Sequence, residues 1–364
     1  MKNIVVSGYY GARNGGDEAI LAAIIEVLTG LNQKLNITVI SSDPQDTHTR
    51  HGVRAVGFTN FGQIVAELWQ ADLFISGGGS LLQNVTSGRS LYYYLGIITL
   101  AKLLRCPVML YAQGIGPIHG TFARKLMRFI GNCLDLITVR DRGSLDELAA
   151  LGITKPHIEC TADPVLAIRP VDKAAGREIL AAHLVKDNKP LVGISVREWR
   201  GWQHYKDVLA ETVGRISRDL DVQVVFFPMQ FPEDLIVAKA IAIAAKTDAV
   251  VLEREYSTAE LLSLVGNMEL VISVRLHALI FAGVMDVPML GLSYDPKIDR
   301  FLASLGEKPV GNLEDITADK LTTEIDKLWQ ERQSAHHGNS RKLKELRRAA
   351  AKNAQLALSL LGHR

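Results

Sequence analysis

Three short segments in the second half of the chain have the residue types and spacing of an acid–base site for an anionic substrate. The first is Ser273-Val274-Arg275-Leu276-His277, which runs straight into the apolar stretch ALIFAGV. Histidine titrates near neutral pH, so one side chain can both give and take a proton. A histidine beside an apolar helix is commonly a satisfied core residue. This one follows a strand-like run, stands two residues from an arginine and opens a helix whose first amides attract an anion. The second segment, Ser195-Val196-Arg197, ends another apolar run. A guanidinium there offers a planar fork that matches a carboxylate or a phosphate. The third, Ser293-Tyr294-Asp295-Pro296-Lys297, brings Lys297, which either reaches a phosphate or stays solvated in the turn that Asp-Pro favours.

The first half offers glycine-rich turns instead. Gly8-Tyr9-Tyr10-Gly11-Ala12-Arg13-Asn14-Gly15-Gly16-Asp17-Glu18 leads into the helical pattern AILAAIIEVL. Such a strand-to-helix turn presents free amides and a positive helix end. It is neither a G-x-G-x-x-G fingerprint nor a P-loop, because the Lys-Ser/Thr pair is missing. Asp17 and Glu18 either favour the helix dipole or accept a proton from a hydroxyl. Ser76-Gly77-Gly78-Gly79-Ser80 follows a second run; it is either a tight turn or a place where a ligand approaches the backbone. Gln113-Gly114-Ile115-Gly116-Pro117 follows a third. Arg140-Asp141 reads equally as a structural ion pair and as part of a site.

These segments need a scaffold that delivers them to one edge. Apolar runs recur at residues 3–7, 37–41, 73–76, 108–112, 136–139 and 157–160, then at 191–196, 222–227, 250–252, 270–274 and 289–292. Each is followed by a polar or glycine-rich turn and a helical pattern. Continuous apolar runs between helices predict parallel strands buried on both faces, and so doubly wound α/β sheets. The rhythm pauses between Asp163 and Pro190, which places a domain boundary near residue 168. Two similar α/β halves joined once look like the twin Rossmann-like domains of the GT-B architecture, facing each other across a cleft. The chain then ends in a helix, 336–364. Between 340 and 352 that tail carries Arg341, Lys342, Lys344, Arg347, Arg348 and Lys352 against Glu345 alone, and then turns apolar in AQLALSLL. It either packs across the fold with a solvated basic face or touches anionic lipid.

Bulk composition narrows the classes. The 364 residues favour two domains, and 22% charged with 48% hydrophobic residues is an ordinary globular balance. A net charge of +2 gives no argument for nucleic-acid binding. Cys106, Cys133 and Cys160 lie far apart, as reduced thiols of a cytoplasmic protein do. No signal peptide is read at the N-terminus. The longest apolar stretch, 91–104, contains Lys102 and is too short to span a bilayer. No His/Asp/Glu cluster shows metal-ligand spacing, so neither metal nor cofactor is expected.

Taken together, the segments YYGARNGGDEAIL, SGGGSLLQ, QGIGP, VRDRGS, ADP, SVR, RLHALIFAG and GLSYDPKI, in this order from Gly8 to Lys297, resemble the polysaccharide pyruvyl transferase family. Single pieces are unspecific; the ordered set is not, and no motif departs from the pattern. The resemblance implies a GT-B-like fold and phosphoenolpyruvate (PEP) as donor. It implies N-acetylmannosamine in a lipid-linked precursor of a secondary cell-wall polymer as acceptor. The product is then a 4,6-linked pyruvate ketal of the kind that S-layer homology domains bind. It associates Arg197 and the Leu276-His277 pair with PEP binding and catalysis. On this expectation His277 protonates the PEP methylene, Arg197, Arg275 and Lys297 hold its carboxylate and phosphate, and Asp17 or Glu18 serves as base. Tyr10, Asn14, Gly15, Gly16, Gly78, Gly79 and Ser80 are the expected acceptor contacts. Residues 1–168 then form the acceptor side and 169–335 the PEP side, in the cytoplasm, with or without contact at the inner face of the membrane. The rival reading is a GT-B glycosyltransferase or sugar-nucleotide epimerase, in which Glu253 or Glu255 would hold a ribose. A carbohydrate-binding protein without enzymatic activity is the other class, and it would not need the cluster of Arg197, Arg275, His277 and Lys297.

Overall fold

The computed structural model describes residues 1–85, 88–186, 188–332 and 341–362. The chain forms two compact units. The first holds Met1–Ala12, Asp17–Ile168 and the chain from Leu346 onward; the second holds Arg13–Gly16 and Arg169–Glu345.

The first unit is built from β1 (Lys2–Ser7), α1 (Gly15–Leu31), β2 (Leu35–Ser41), α2 (Pro44–His51), β3 (Arg54–Gly57), α3 (Phe61–Gln70), β4 (Leu73–Ser76), β5 (Gly79–Leu82), α4 (Gly88–Leu103), β6 (Val108–Ile115), α5 (Thr121–Gly131), β7 (Leu136–Val139), α6 (Arg142–Ala150) and β8 (His157–Cys160). Its sheet runs β3-β2-β1-β4-β6-β7-β8, with β5 beside β6, and every pairing is parallel. The second unit follows with α7 (Ala174–Ala182), β9 (Leu191–Ser195), α8 (His204–Asp219), β10 (Gln223–Phe226), α9 (Glu233–Ala245), β11 (Val250–Val251), α10 (Thr258–Gly266), β12 (Leu270–Ser273), α11 (Leu276–Met285), β13 (Met289–Ser293), α12 (Pro296–Leu305), β14 (Gly311–Asn312) and α13 (Ala318–Glu331). Its parallel sheet runs β11-β10-β9-β12-β13-β14. The last helix is α14 (Arg341–Leu361).

The expected α/β class and the two Rossmann-like halves are therefore present. The apolar runs become strands because helices cover both faces of each sheet. Every residue of β4, β7, β10 and β12 is buried. One core joins Phe74, Val108, Leu110 and Ile137 to Leu95 and Met127. The other joins Val192, Ile194, Phe226 and Ile272 to Val213 and Ile325. Three strands escape the apolar-run reading. β3 is a partly exposed edge strand, β14 has two residues, and β5 begins only three residues after β4.

In each sheet the chain winds outward from one strand and then returns to that strand's other side, at β1/β4 and at β9/β12. Crevices for ligands open at the carboxyl ends of the strands beside such switch points.

The tail resolves toward packing. Its start, 336–340, lies outside the described residues. Along α14, Leu343, Ala350, Ala354, Ala357 and Leu361 are buried at helical spacing. Buried Asn353 accepts from Thr161 Oγ1 at 2.8 Å, and Lys352 pairs with Glu159. The apolar side that a bilayer would need is used inside the protein.

Candidate active site

In the second unit β9 and β12 lie side by side with Ser195 opposite Ser273. Arg197 and Arg275 therefore leave neighbouring strand ends two residues later, at the switch point. Ser273 Oγ accepts from the amide of Arg275 at 2.8 Å and so shapes the turn into α11. That helix is buried along its length apart from His277, its sole polar side chain, which is half-buried at the second position. Leu276, the first residue of the helix, is buried.

The two arginines sit in opposite electrostatic settings. Arg275 pairs with Asp234, whose carboxylate is fully buried and also accepts the amides of Met229 at 3.2 Å and Gln230 at 3.0 Å. Burial pushes the Asp234 carboxyl up, against the pull of Arg275 and of the two amides. The Arg275 charge is thus largely answered from within. Arg197 meets no carboxylate among the described residues. Its Nη1 donates to the Tyr294 hydroxyl and its Nε to the Glu198 carbonyl at 3.4 Å. Its guanidinium stacks 5.0 Å from the Trp199 ring and 4.8 Å from the Tyr294 ring. Such stacking holds the fork in place without cancelling its charge.

Lys297 joins the same cluster. Its ammonium lies 5.5 Å from the centre of the Tyr294 ring and 3.5 Å from an Asp295 oxygen. Asp295 caps α12 through the Lys297 amide, so Asp-Pro starts a helix here and does not merely turn the chain. Arg197 and Lys297, far apart in sequence, share one aromatic ring.

Asn14, Gly15 and Gly16, expected on the first half's side, group with the second unit. Asn14 bridges to Gln230, and the Gly15 amide donates to the Met229 carbonyl at 2.6 Å. Gly16 lies against His277: a Cβ there would fall 2.2 Å from Nδ1. Only glycine lets the backbone come this close to the imidazole.

The carboxyl edge of the first sheet is filled by the chain itself. Tyr10 is 1% exposed, and its ring occupies the space that glycines leave: a Cβ at Gly8 would lie 2.3 Å from its Cζ, and one at Gly77 would lie 2.0 Å from its hydroxyl. Burial, then the nearby Asp17, holds its phenol well above the usual range. The structure thus corrects the expected acceptor contact at Tyr10 to a core position. Gly78 is buried against Ile20 and Pro164, a packing role, and the Gly79 carbonyl accepts from Gln113 at 2.7 Å. Ser80 is exposed and bonded to Arg140 Nη2 at 2.9 Å. Arg140 itself is structural: it is buried and pairs with Asp163 at 3.2 Å.

The two carboxylates of α1 also part company. Glu18 is buried; one oxygen accepts the Gly11 amide at 2.8 Å and the other accepts from His51 Nε2 at 2.9 Å. This inward-facing carboxylate holds the turn and is not poised as a base. Asp17 is half-buried and faces Gly79.

Sequence reading missed Trp199, Tyr294, Gln230 and Asp234. The aromatics carried a signal, one standing two residues after Arg197 and the other directly after a strand. Asp234 carried none, since an acid in a first helical turn looks like an ordinary dipole partner.

The fold recurs in solved sugar-nucleotide proteins. The S. aureus MnaA–UDP co-structure superposes with a TM-score of 0.68 at 12% identity, covering 98% of this chain and 95% of that one. The UDP-GlcNAc 2-epimerase of Neisseria meningitidis bound to UDP-GlcNAc gives 0.67 at 12% identity, with 99% and 100% covered. Anabaena HepE in complex with UDP-glucose gives 0.64 at 14%, with 100% of both chains covered. This similarity is one of fold, and it places the chain among GT-B-like α/β proteins. Among curated proteins, none matches the chain significantly in sequence. Residues 14–296 match the model of the polysaccharide pyruvyl transferase family, and the chain belongs to that family.

Proposed function

We propose that this protein transfers the pyruvyl group of PEP onto two hydroxyls of an amino sugar, forming a ketal and releasing phosphate. The family supports a transferase acting on a polysaccharide substrate. The observation that carries PEP as donor is Arg197, a fork that meets no carboxylate among the described residues and lies against the paired rings of Trp199 and Tyr294, with Lys297 on the Tyr294 ring and His277 at the neighbouring switch-point turn. A carboxylate and a phosphate on one small molecule suit that set of donors.

In this mechanism His277 delivers a proton to the PEP methylene, and C2 becomes an oxocarbenium-like centre. A sugar hydroxyl adds to C2 and gives up its proton. The C2–O bond to phosphate then breaks, with Arg197 and Lys297 stabilising the departing charge. The second hydroxyl closes the ring as its proton leaves. Of the two hydroxyl protons, one is balanced by the new methyl group and the other by the released hydrogen phosphate. Asp17, next in the chain after Gly16, is the carboxylate we assign to the acceptor hydroxyl. PEP is a co-substrate, and the scheme calls on no metal or cofactor.

The acceptor we propose is N-acetylmannosamine, ketalised at O4 and O6, in a lipid-linked precursor of a secondary cell-wall polymer that anchors S-layer proteins. This is the reaction of CsaB, the bacterial cell-wall pyruvyltransferase that the ordered motifs resemble. The rival epimerase or glycosyltransferase reading gains no support from the acids that would hold a ribose. Glu253 pairs with Lys239 at 2.9 Å and Glu255 with Arg13 at 3.4 Å. The test is incubation with PEP and a synthetic N-acetylmannosamine-terminated acceptor. Phosphate release with a ketal methyl signal in the product NMR is expected. No phosphate release, or turnover of a UDP-sugar instead, would refute the proposal.

A further inference from the structure

The outer face of α4 and α5, in the first unit, is apolar where solvent should make it polar. On α4, Tyr92, Gly96, Thr99 and Leu103 recur at helical spacing, with Tyr92 44% and Leu103 75% exposed. On α5, Phe122, Leu126 and Phe129 do the same, with Phe122 69% and Phe129 71% exposed. The two stripes are continuous: the rings of Tyr92 and Phe122 lie 6.3 Å apart, and Leu126 and Ile130 line a shallow groove with Leu95, Leu100 and Leu103. Contiguous exposed apolar surface of this kind marks a contact.

Charge says what the contact is. From Leu73 to Leu134 the chain carries Arg89, Lys102, Arg105, Arg124, Lys125 and Arg128 and not one Asp or Glu. Lys102 is answered by Asp135 at 2.8 Å, from just beyond this run. Arg89, Arg124, Lys125 and Arg128 are exposed on the same two helices as the apolar stripes. Aromatic rings flanked by cations, with no anion between, fit an interface of acyl chains and anionic headgroups. A two-fold copy of this chain fits poorly, because the patch would meet itself and set cation against cation. Among the described residues no helix is long and apolar enough to cross a membrane, so the contact is peripheral.

We infer that the α4–α5 face docks the protein on a bilayer bearing anionic phospholipids, with Tyr92, Leu103, Phe122 and Phe129 entering the headgroup boundary. The surface stands on α4 and α5 alone. That docking also brings the enzyme to its acceptor rests on the lipid-linked substrate proposed above.

The test is co-sedimentation of the full chain with vesicles of phosphatidylcholine alone and of phosphatidylcholine mixed with phosphatidylglycerol. Binding to the mixed vesicles is expected, weakened at least about tenfold by Phe122→Ser/Phe129→Ser and by Arg89→Glu/Lys125→Glu. All four positions are exposed, so the thermal transition should be unchanged, and PEP turnover is not the readout. Absence of binding to anionic vesicles would overturn the inference, as would equal binding by parent and variants. A solution dimer dissolved by Phe122→Ser/Phe129→Ser would assign the face to a second copy instead.

Discussion

At the carboxyl edge of the first sheet the chain fills its own crevice. Tyr10 occupies the space beside Gly8 and Gly77, and Glu18 spends both oxygens on Gly11 and His51. At the same edge of the second sheet, Arg197 stays unanswered by any carboxylate among the described residues, and Lys297 and His277 remain partly exposed. Both sheets wind the same way and both have a switch point. Topology therefore supplies a crevice, but the residues at the strand ends decide whether the crevice is packed or offered to a ligand. Glycine-rich turns alone do not tell the two apart, because a glycine can make room for a neighbouring side chain as readily as for a substrate.

Five substitutions probe this contrast. His277→Ala should lower pyruvyl transfer by roughly 10²–10⁴-fold with the fold intact, measured as phosphate release beside circular dichroism. Turnover near that of the parent would remove the second edge from the chemistry. Arg197→Lys should raise the KM for PEP by about 10–100-fold, because a point charge cannot replace the stacked fork; an unchanged KM would mean that Arg197 does not hold the donor. Glu18→Ala should cost about 1–3 kcal/mol in denaturant unfolding by leaving the Gly11 amide and the His51 ring without their partner. Asp17→Asn should instead lower kcat with little loss of stability, and the opposite pattern would reverse the two assignments. Tyr10→Phe should change stability by less than about 0.5 kcal/mol or raise it slightly, since its buried hydroxyl has no partner among the described residues. A large rise in acceptor KM on that change would restore Tyr10 to the site.

Much of the architecture was legible because burial on both faces of a parallel strand forces a continuous apolar run, as at residues 73–76 and 270–274. Arg197 and His277 were legible as candidates for a related reason: a polar residue just after such a run stands at the carboxyl edge. Illegible were features made by residues that meet only after folding. Asp234 finds Arg275 from another helix, His51 reaches Glu18 from α2, and Tyr294 joins Arg197 to Lys297. The turn at Arg13–Gly16 looked like the property of the strand before it, yet its backbone hydrogen bonds join it to Met229 and Phe231, with Asn14 bridged to Gln230.

The sequence by itself determined the α/β class, the strand ends and the set of charged side chains delivered to them. These follow from local periodicity and from the order of turns along the chain. Only the tertiary structure decided which charges are cancelled and which stay available. Neutralisation by a buried partner depends on distance in space, and apolar periodicity carries no record of that distance. Arg275 and Arg197 would otherwise look alike; one faces a buried carboxylate and the other two aromatic rings.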